Sequence, residues 1–299
     1  MSAEHTLRTR DVRLGYDGHE VVKGLSVDIP PGRITMIVGP NACGKSTLLR
    51  SMARLLAPTS GEVLLDGKSV HGMPTKEVAA VLGILPQSPV APDGITVSDL
   101  VGRGRYPHQG WFRRWTSEDD EAVAQALLAT DVLELAARPV DELSGGQRQR
   151  VWIAMALSQR TDILLLDEPT TYLDISHQLD VLDLLTDLNR EYGSTIAVVL
   201  HDLNLACRYA DHLIAMKDGR IVAEGTPAEI VTASLVTEVF GMRCSVAEDP
   251  ASGTPMIVPM GRHHLTRASA SPVPASGSPV PAPGSPLPAS GAPHPATAE

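Results

Sequence analysis

A glycine-rich loop at residues 39–47, GPNACGKST, limits the folds open to this chain more than any other feature. It fits the pattern G-x-x-x-x-G-K-[S/T], whose backbone amides bind the phosphates of a nucleotide. The apolar run ITMIV at 34–38 precedes the loop, and a helical pattern over 46–56 follows it. Strand, loop and helix in this order place a helix N-terminus against the phosphates. This phosphate loop therefore predicts an α/β nucleotide-binding protein.

The residues of the phosphate loop have different expected tasks. The Lys45 ammonium group supplies a point charge for the β- and γ-phosphates, and the Ser46 hydroxyl can bind Mg²⁺. Ala42 stands where a glycine would be freer, and a positive φ there would cost about 1 kcal/mol. Cys43 is expected to contribute only its backbone amide. The expected phosphate-binding set is Gly39, Pro40, Asn41, Ala42, Cys43, Gly44, Lys45, Ser46 and Thr47.

Two adjacent carboxylates end a second apolar strand, in the sequence DILLLDEP at 162–169. Like charges this close are costly unless a cation or an opposing charge is present. Asp167 can hold Mg²⁺ directly or through water, and Glu168 follows it. Beside a phosphate loop, this pair predicts a site for Mg²⁺ and a nucleotide.

The sequence LSGGQRQR at 143–150 offers a second place for phosphate. Ser144, Gly145 and Gly146 open the helical run QRQRVWIAMALSQR, so helix N-terminal amides are again exposed. One nucleotide does not obviously need two such sites. Two chains packed head to tail would use both, with each nucleotide between the phosphate loop of one copy and LSGGQ of the other.

Strands and helices alternate through residues 5–260, which predicts a mostly parallel sheet covered on both faces. Antiparallel strands at the N-terminus, with turns at Asp17-Gly18 and Asp66-Gly67, imply a mixed sheet. The net charge of −10 argues against a general nucleic-acid binder. No run approaches the ~18 apolar residues of a membrane span. Three widely spaced cysteines suggest a reducing compartment.

The end of the chain has a different composition. The sequences SPVPASG, SPVPAPG and SPLPASG follow one another from 271 to 291. Proline removes backbone donors, and such a segment cannot bury a core. Residues 268–299 are therefore predicted to be a disordered, Pro/Ala/Ser-rich tail with partial polyproline II structure. A ligand for a proline-binding module is the alternative use of this tail.

With these motifs in order, the chain resembles the ATP-binding-cassette (ABC) ATPases, which are P-loop NTPases. The resemblance covers almost all of residues 5–260, and LSGGQ is its most specific motif because it hardly occurs in other P-loop proteins. It implies a mixed sheet core, an antiparallel β subdomain and a helical subdomain at roughly 88–160. The motifs that carry it are Tyr16, GPNACGKST, Gln87 in LPQSP, LSGGQ, LLLDEP, TTYLD and His201 in VLHDLN.

The resemblance implies a role for each matching residue, with ATP and Mg²⁺ as cofactors. Tyr16 should stack on adenine, and Gln87 should touch Mg²⁺ and sense the transmembrane partner. Glu168 should polarise the attacking water, and His201 should contact the γ-phosphate. Asp174 should cross the dimer interface. The implied catalytic residues are Glu168, His201 and Gln87, the metal-binding residues are Ser46, Gln87 and Asp167, and the further nucleotide-binding residues are Tyr16, Ser144, Gly145, Gly146, Gln147 and Asp174.

One cassette without a coiled-coil insertion or a membrane segment resembles the separate ATPase subunit of a bacterial-type importer. The stretches GRYPHQGW and LHDLNLACRYADHLIAMKDGRIVAEG look like those of iron-siderophore importers, which are allied to cobalamin and haem importers. The expected function is ATP hydrolysis that energises uptake of a ferric siderophore through a permease. Import of cobalamin or haem, and a soluble ABC ATPase outside transport, are the alternatives.

That resemblance also implies partners and a place in the cell. A homodimer of ATPase subunits, transmembrane permease subunits and, indirectly, an extracytoplasmic substrate-binding protein are expected, whereas nucleic acid is not. The subunit should be peripheral, at the cytoplasmic face of the plasma (inner) membrane.

The segment RGRYPHQGWFRRW at 103–115, here called the basic aromatic segment, stands out in a chain with three Trp and two Phe. It lies where ABC ATPases have the helical subdomain that receives the permease, and Trp and Arg are enriched at binding hot spots. Trp111, Phe112 and Trp115 can instead fill the core of that subdomain. At least one aromatic is expected to pack inward, with the arginines and residues 106–108 near the docking surface.

Overall fold

A computed structural model describes residues 5–87, 89–109, 115–171 and 173–261. The predicted tail at 268–299 lies outside these ranges, as do Trp111, Phe112, Arg113 and Arg114. The strands in the described ranges are β1 (Leu7–Tyr16), β2 (His19–Ile29), β3 (Ile34–Val38), β4 (Ser60–Leu65), β5 (Lys68–Ser69), β6 (Leu82–Leu85), β7 (Ile163–Asp167), β8 (Thr195–Val199), β9 (His212–Lys217), β10 (Arg220–Gly225), β11 (Cys244–Glu248) and β12 (Pro255–Pro259). The α-helices there are α1 (Lys45–Met52), α2 (Thr75–Val81), α3 (Val97–Gly102), α4 (Ser117–Ala129), α5 (Gly145–Ser158), α6 (Ile175–Tyr192), α7 (Leu203–Tyr209), α8 (Pro227–Ile230) and α9 (Ala233–Phe240).

A six-stranded sheet, in the spatial order β10-β9-β3-β8-β7-β6, forms the centre of the protein. The strands from β9 to β6 are parallel, and β10 pairs with β9 in the antiparallel sense. Every residue of β3, β7 and β8 is buried, and these strands are largely apolar. Such runs are typical of parallel strands that have helices on both faces. The predicted mixed α/β sheet is confirmed.

A second sheet is antiparallel, in the order β2-β1-β4-β5. Buried and exposed residues largely alternate along β1 and β2, so one face packs on the core and the other meets solvent. Asp17 and Gly18 have φ values of 49° and 82°, and Asp66 and Gly67 have 53° and 75°. Positive φ at both central positions is the requirement of a two-residue type I′ hairpin turn, so both predicted turns are present.

Helices α3, α4 and α5 pack on one another and form a three-helix group. A 3₁₀ turn at Arg103–His108 is attached to α4 of this group by an ion pair. In this pair, Arg105 Nε donates to Asp119 Oδ1 at 2.9 Å. Arg105 and Asp119 are 3% and 2% exposed. Arg105 Nη1 also donates to Ser158 O, at the end of α5, at 2.9 Å. One buried guanidinium group therefore joins the 3₁₀ turn to both α4 and α5.

The described part of the basic aromatic segment divides between core and surface. Arg105 is buried, so the expectation that the arginines lie near a surface is wrong for this residue. Its guanidinium group finds acceptors in the interior, namely the Asp119 carboxylate and the carbonyl oxygens of Ser158 and Gln159. Tyr106 is 60% exposed and Trp115 is 45% exposed. The Trp115 ring lies against Gly102, where a Cβ would be 3.0 Å from it.

The described residues belong to one compact unit, Met1–Gly261. None of the helices in the described ranges is both long enough and apolar enough to cross a membrane. The predicted bounds of the domain, 5–260, and of the helical subdomain, 88–160, stay predictions.

Candidate nucleotide-binding site

The phosphate loop has a backbone that depends on two of its glycines. Gly39 has a φ of 154°, and a Cβ there would lie 2.2 Å from Met216 O and 2.8 Å from Cys43 Sγ. Gly44 has a φ of 105° and is the N-cap of α1. A side chain would be strained at either position. The glycines of the motif therefore allow the loop to wrap around the N-terminus of α1.

Two residues of the phosphate loop, Ala42 and Cys43, differ in how they fit this backbone. Ala42 has a φ of 60°, so the strain considered from the sequence is present, at a cost of about 1 kcal/mol. Cys43 is 4% exposed, and burial raises the pKa of its thiol. A buried, neutral thiol fits a residue that serves the loop through its backbone.

Lys45 and Ser46 begin α1 and place their polar groups at the loop. Lys45 Nζ donates to the carbonyl oxygens of Gly39 and Pro40 at 2.8 and 3.0 Å. Its ammonium group therefore lies over the phosphate loop itself. Ser46 Oγ donates to Asp167 Oδ1 at 2.7 Å. This hydrogen bond joins the phosphate loop to the carboxyl end of β7.

One carboxylate oxygen of Asp167 is buried. The residue is 1% exposed, and its Oδ2 accepts no hydrogen bond from the residues that the structure describes. Arg50 Nε lies 3.9 Å from this oxygen, and burial raises the pKa of Asp167. Mg²⁺ is bound by oxygen ligands of this kind. Ser46 and Asp167 therefore fit the expected metal site.

Three side chains converge on the Glu168 carboxylate. Gln87 Nε2 donates to Oε2 at 2.6 Å, and Thr171 Oγ1 donates to the same oxygen at 3.2 Å. His201 Nε2 lies 2.6 Å from Oε1. Glu168 is 8% exposed and has a φ of 55°, and backbone strain of this kind clusters at functional sites. The carboxylate is thus held in one orientation by its neighbours.

These groups surround a cavity of about 440 Å³. The predicted site residues in its lining are Asn41, Ala42, Cys43, Gly44, Lys45, Ser46, Thr47, Gln87, Glu168 and His201. Gly39, Pro40 and Asp167 are hydrogen-bonded to this lining through Lys45 and Ser46. A second cavity, of about 480 Å³, is lined in part by residues of α6 and α7 and contains none of the predicted site residues.

Tyr16 and the LSGGQ residues do not line the 440 Å³ cavity. Tyr16 ends β1 and is 42% exposed. Ser144 caps α5, because its Oγ accepts from Gln147 N at 3.3 Å, and Gln147 Oε1 accepts from Ser144 N at 3.1 Å. Apart from its chain neighbours and the nearby backbone of α5 itself, no described atom lies within 4 Å of a Cβ placed on Gly145. Space is therefore open at the N-terminus of α5.

Asp174 also lies outside the cavity, as the N-cap of α6. Its Oδ1 accepts from His177 N at 3.0 Å and lies 2.6 Å from His177 Nδ1. The His177 backbone N–H is the main cause that lowers the pKa of Asp174 to about 2. The side chain is 66% exposed. The carboxylate is therefore charged and exposed, and its contact across a dimer interface stays a prediction.

Thr171 and Val21 are site residues outside the predicted set, although the TTYLD motif at 170–174 contains Thr171. Thr171 bonds the Glu168 carboxylate, and its backbone N–H donates to Glu168 O at 3.2 Å. Its spacing of three residues from Glu168 is the signal that could have identified it. Val21 belongs to β2 and lines the cavity. Its place depends on how the antiparallel sheet packs beside the phosphate loop, for which the sequence has no local signal.

A sequence model described as ABC transporter matches residues 22–171. The ferric enterobactin transport ATP-binding protein FepC of Escherichia coli (strain K12) is 57% identical to this chain over 256 residues. That alignment covers 86% of this chain and 94% of FepC. The likeness therefore extends over nearly the whole length of that relative.

Two solved structures share the fold. A chain of a metal-chelate type ABC transporter in an inward-facing conformation has a TM-score of 0.74 and 28% identity, with 88% of this chain and 100% of that chain covered. The dimeric bacterial ABC transporter cassette MJ0796 has a TM-score of 0.67 and 29% identity, with 74% of this chain and 98% of that chain covered.

Proposed function

Because this chain belongs to the ABC transporter family and is one of its ATPases, we propose that it energises the uptake of a ferric siderophore. The observation that carries the cargo class is the 57% identity to FepC, whose name assigns it to ferric enterobactin transport. The metal-chelate type transporter with a TM-score of 0.74 supports the same class. Cobalamin and haem are the competing cargoes.

The 440 Å³ cavity supports binding of ATP together with Mg²⁺. The amides of the phosphate loop would bind the phosphates, and Lys45 would exchange its two carbonyl contacts for the β- and γ-phosphates. Ser46 and Asp167 would hold the metal. Gln87 directs its Nε2 at Glu168, so its amide oxygen is available as a further ligand. When bound, Mg²⁺ would neutralise charge that develops on the phosphate oxygens.

Glu168 is the group proposed to take a proton from the attacking water. A general base must lie within hydrogen-bond reach of that water, and the Glu168 carboxylate lines the cavity. His201 contacts Oε1, whereas Gln87 and Thr171 share Oε2, so Oε1 is the oxygen that water would take as His201 moves to the nucleotide. His201 Nε2 would then donate to the γ-phosphate. Catalysis would come mainly from positioning and electrostatics.

The site residues outside the cavity support a head-to-tail homodimer. The LSGGQ residues at 144–147 and Asp174 belong to helix N-termini that do not reach the cavity of their own chain. A second copy could place both against the nucleotide, where exposed amides bind phosphate. The related cassette MJ0796 is dimeric. Tyr16, exposed at the end of β1, would stack on adenine.

A transmembrane permease is the proposed partner, and the subunit would dock on it at the cytoplasmic face of the plasma (inner) membrane. An extracytoplasmic substrate-binding protein would act indirectly, through the permease. The transport function in the name of FepC supports this assembly.

The test is uptake by proteoliposomes that hold the subunit with the permease that co-purifies with it. ATPase activity and uptake are measured with a ferric siderophore, cobalamin or haem, each on its own binding protein. Stimulation by a ferric siderophore alone is the expected result. Stimulation by cobalamin alone or by haem alone would show that this compound, and not a ferric siderophore, is the cargo. If no multispanning membrane protein co-purifies and ATPase activity is independent of all three, a soluble ATPase outside transport is favoured.

A further inference from the structure

The C-terminal hairpin, formed by β11 and β12, is fastened to α7 by the side chain of Asn204. Asn204 Nδ2 donates to Ile257 O at 3.2 Å, and Ile257 N donates to Asn204 Oδ1 at 2.7 Å. The side-chain amide thus pairs with the backbone of β12 through both a donor and an acceptor. Ile257 is 4% exposed, so this attachment lies at the edge of the core.

An ion pair makes a second attachment one helical turn later. Arg208 Nε and Nη2 donate to Asp249 Oδ2 at 3.1 and 2.6 Å. Asp249 follows β11 in the hairpin and is 7% exposed. The Ala251 backbone N–H, first, and the Arg208 guanidinium group lower the pKa of Asp249 to about 2. Asn204 and Arg208 are four residues apart and share one face of α7.

Helix α7 leads directly from His201. β8 ends at Val199, Leu200 is 1% exposed, and Asp202 caps α7 by accepting from Leu205 N at 2.9 Å. The helix has 7 residues, too few to be stable without tertiary contacts. Its inner residues Ala206 and Cys207 are fully buried. The hairpin holds its other side, so the first turn, and the loop before it, are fixed between two surfaces.

We propose that Asn204 is a positioning residue for His201, through which the C-terminal hairpin influences ATP hydrolysis. Asn204 is three residues after His201 and is fixed to the hairpin at both ends of its amide. Movement of the first turn of α7 would displace the His201 imidazole, which lies 2.6 Å from the Glu168 carboxylate, from the place where it would meet the γ-phosphate. Misplacement by 1 Å can lower a rate by up to about 100-fold. This inference rests on the proposed role of His201.

Asn204→Ala is compared with Asn189→Ala as a matched control. Asn189 also makes two backbone hydrogen bonds with its amide, to Gly32 O at 2.9 Å and Ser194 O at 2.7 Å. It acts before the start of β8, at the end away from His201. The melting temperature (Tm) of both variants should be lower than that of the wild type. Only Asn204→Ala should lower kcat, by about tenfold, with KM for ATP changed less than about twofold.

Asn204→Asp keeps an acceptor for Ile257 N and loses the donor to Ile257 O, so it should give a smaller loss of kcat. It also serves as the folded variant if Asn204→Ala does not fold. In a His201→Ala background, Asn204→Ala should lower kcat no further, because coupled residues are not additive. If Asn204→Ala lowered kcat in that background by the same factor as in the wild type, the result would contradict the inference.

A spectroscopic measurement separates position from catalysis. The ring ¹H–¹⁵N resonances of His201 in the nucleotide-free subunit should move in Asn204→Ala and Asn204→Asp and stay in Asn189→Ala. Unmoved resonances with unchanged kcat in both Asn204 variants would overturn the inference. If the resonances move while His201→Ala hydrolyses ATP at the wild-type rate, the positioning role stands and the proposed role of His201 fails.

Discussion

His201 Nε2 and Glu168 Oε1 lie 2.6 Å apart, just beyond the carboxyl ends of two neighbouring parallel strands. The order of the sheet creates this contact, because β8 leads to His201 and β7 leads to Glu168. Ligands of open parallel sheets bind at this edge. The proposed base thus contacts the proposed phosphate donor, and transfer of His201 to the γ-phosphate would free this oxygen of Glu168 for the attacking water.

Glu168→Gln should lower the rate of hydrolysis severely while ATP binding survives. The amide keeps the size of the side chain but cannot accept the proton of the attacking water, so we expect kcat to fall by at least about 100-fold. Lys45 and the phosphate loop are unchanged, so ATP should trap a closed dimer, which size-exclusion chromatography detects. Glu62→Gln, at an exposed ion pair with Arg10, is the control with normal kcat. Near-normal turnover of Glu168→Gln would exclude the role proposed for Glu168.

Arg105→Met should destabilise the protein strongly, because it leaves the Asp119 carboxylate buried without its partner. We expect a loss of about 3–5 kcal/mol in the free energy of unfolding, measured with urea. Arg105→Met combined with Asp119→Leu removes both charges and should recover part of that loss, because Asp119→Leu also removes the acceptor of the Thr116 N–H at the start of α4.

The control for this pair is Arg10→Ala. Arg10 pairs with Glu62 at 3.1 Å, with both side chains well exposed, so its loss should cost less than about 1 kcal/mol. If Arg105→Met and Arg10→Ala lowered the free energy of unfolding equally, the buried ion pair would contribute no more to stability than the exposed one.

The local parts of the site could be predicted from the sequence, whereas their contacts could not. The conformations of the phosphate loop at 39–47 and of the strand that ends at Asp167 depend on residues that are adjacent in sequence. Their motifs can therefore be recognised in the sequence. The contact between Glu168 and His201 depends on the placement of β8 beside β7. That order is set by packing of the whole sheet and leaves no local signal.

Buried charge is a second feature that the sequence does not reveal. Arg105 lies in a basic stretch that reads as a surface, yet it is 3% exposed. Its burial depends on Asp119 and on the carbonyl oxygen of Ser158, which α4 and α5 bring together. The attachment of Asn204 to Ile257 is similar, since 53 residues separate the partners.

Deletion of residues 268–299 should leave the cassette nearly unchanged. A Pro/Ala/Ser-rich tail has little apolar surface with which to pack. We expect Tm to change by less than about 2 °C, and basal ATPase activity to stay at the wild-type level. Calorimetry and a phosphate-release assay measure the two quantities. A large fall in either would mean that the repeats at 271–291 dock on the domain.

Arg113→Glu combined with Arg114→Glu should weaken assembly with the permease. Tyr106 and Trp115, on either side of these arginines in sequence, are 60% and 45% exposed, and Arg and aromatic residues are enriched at binding hot spots. Folding and ATP binding of the isolated subunit should be unchanged, while permease association and coupled uptake fall.

The control makes the same change of charge elsewhere. Arg220→Glu combined with Arg243→Glu alters two exposed residues outside the basic aromatic segment, so it should leave association and uptake close to wild type. Association is measured by co-purification with the permease, and coupling by uptake per ATP hydrolysed. If Arg113→Glu with Arg114→Glu assembles and transports at the wild-type level, the aromatics at 111–115 serve local packing and the permease docks elsewhere. If both double variants fail equally, net charge rather than a docking surface governs assembly.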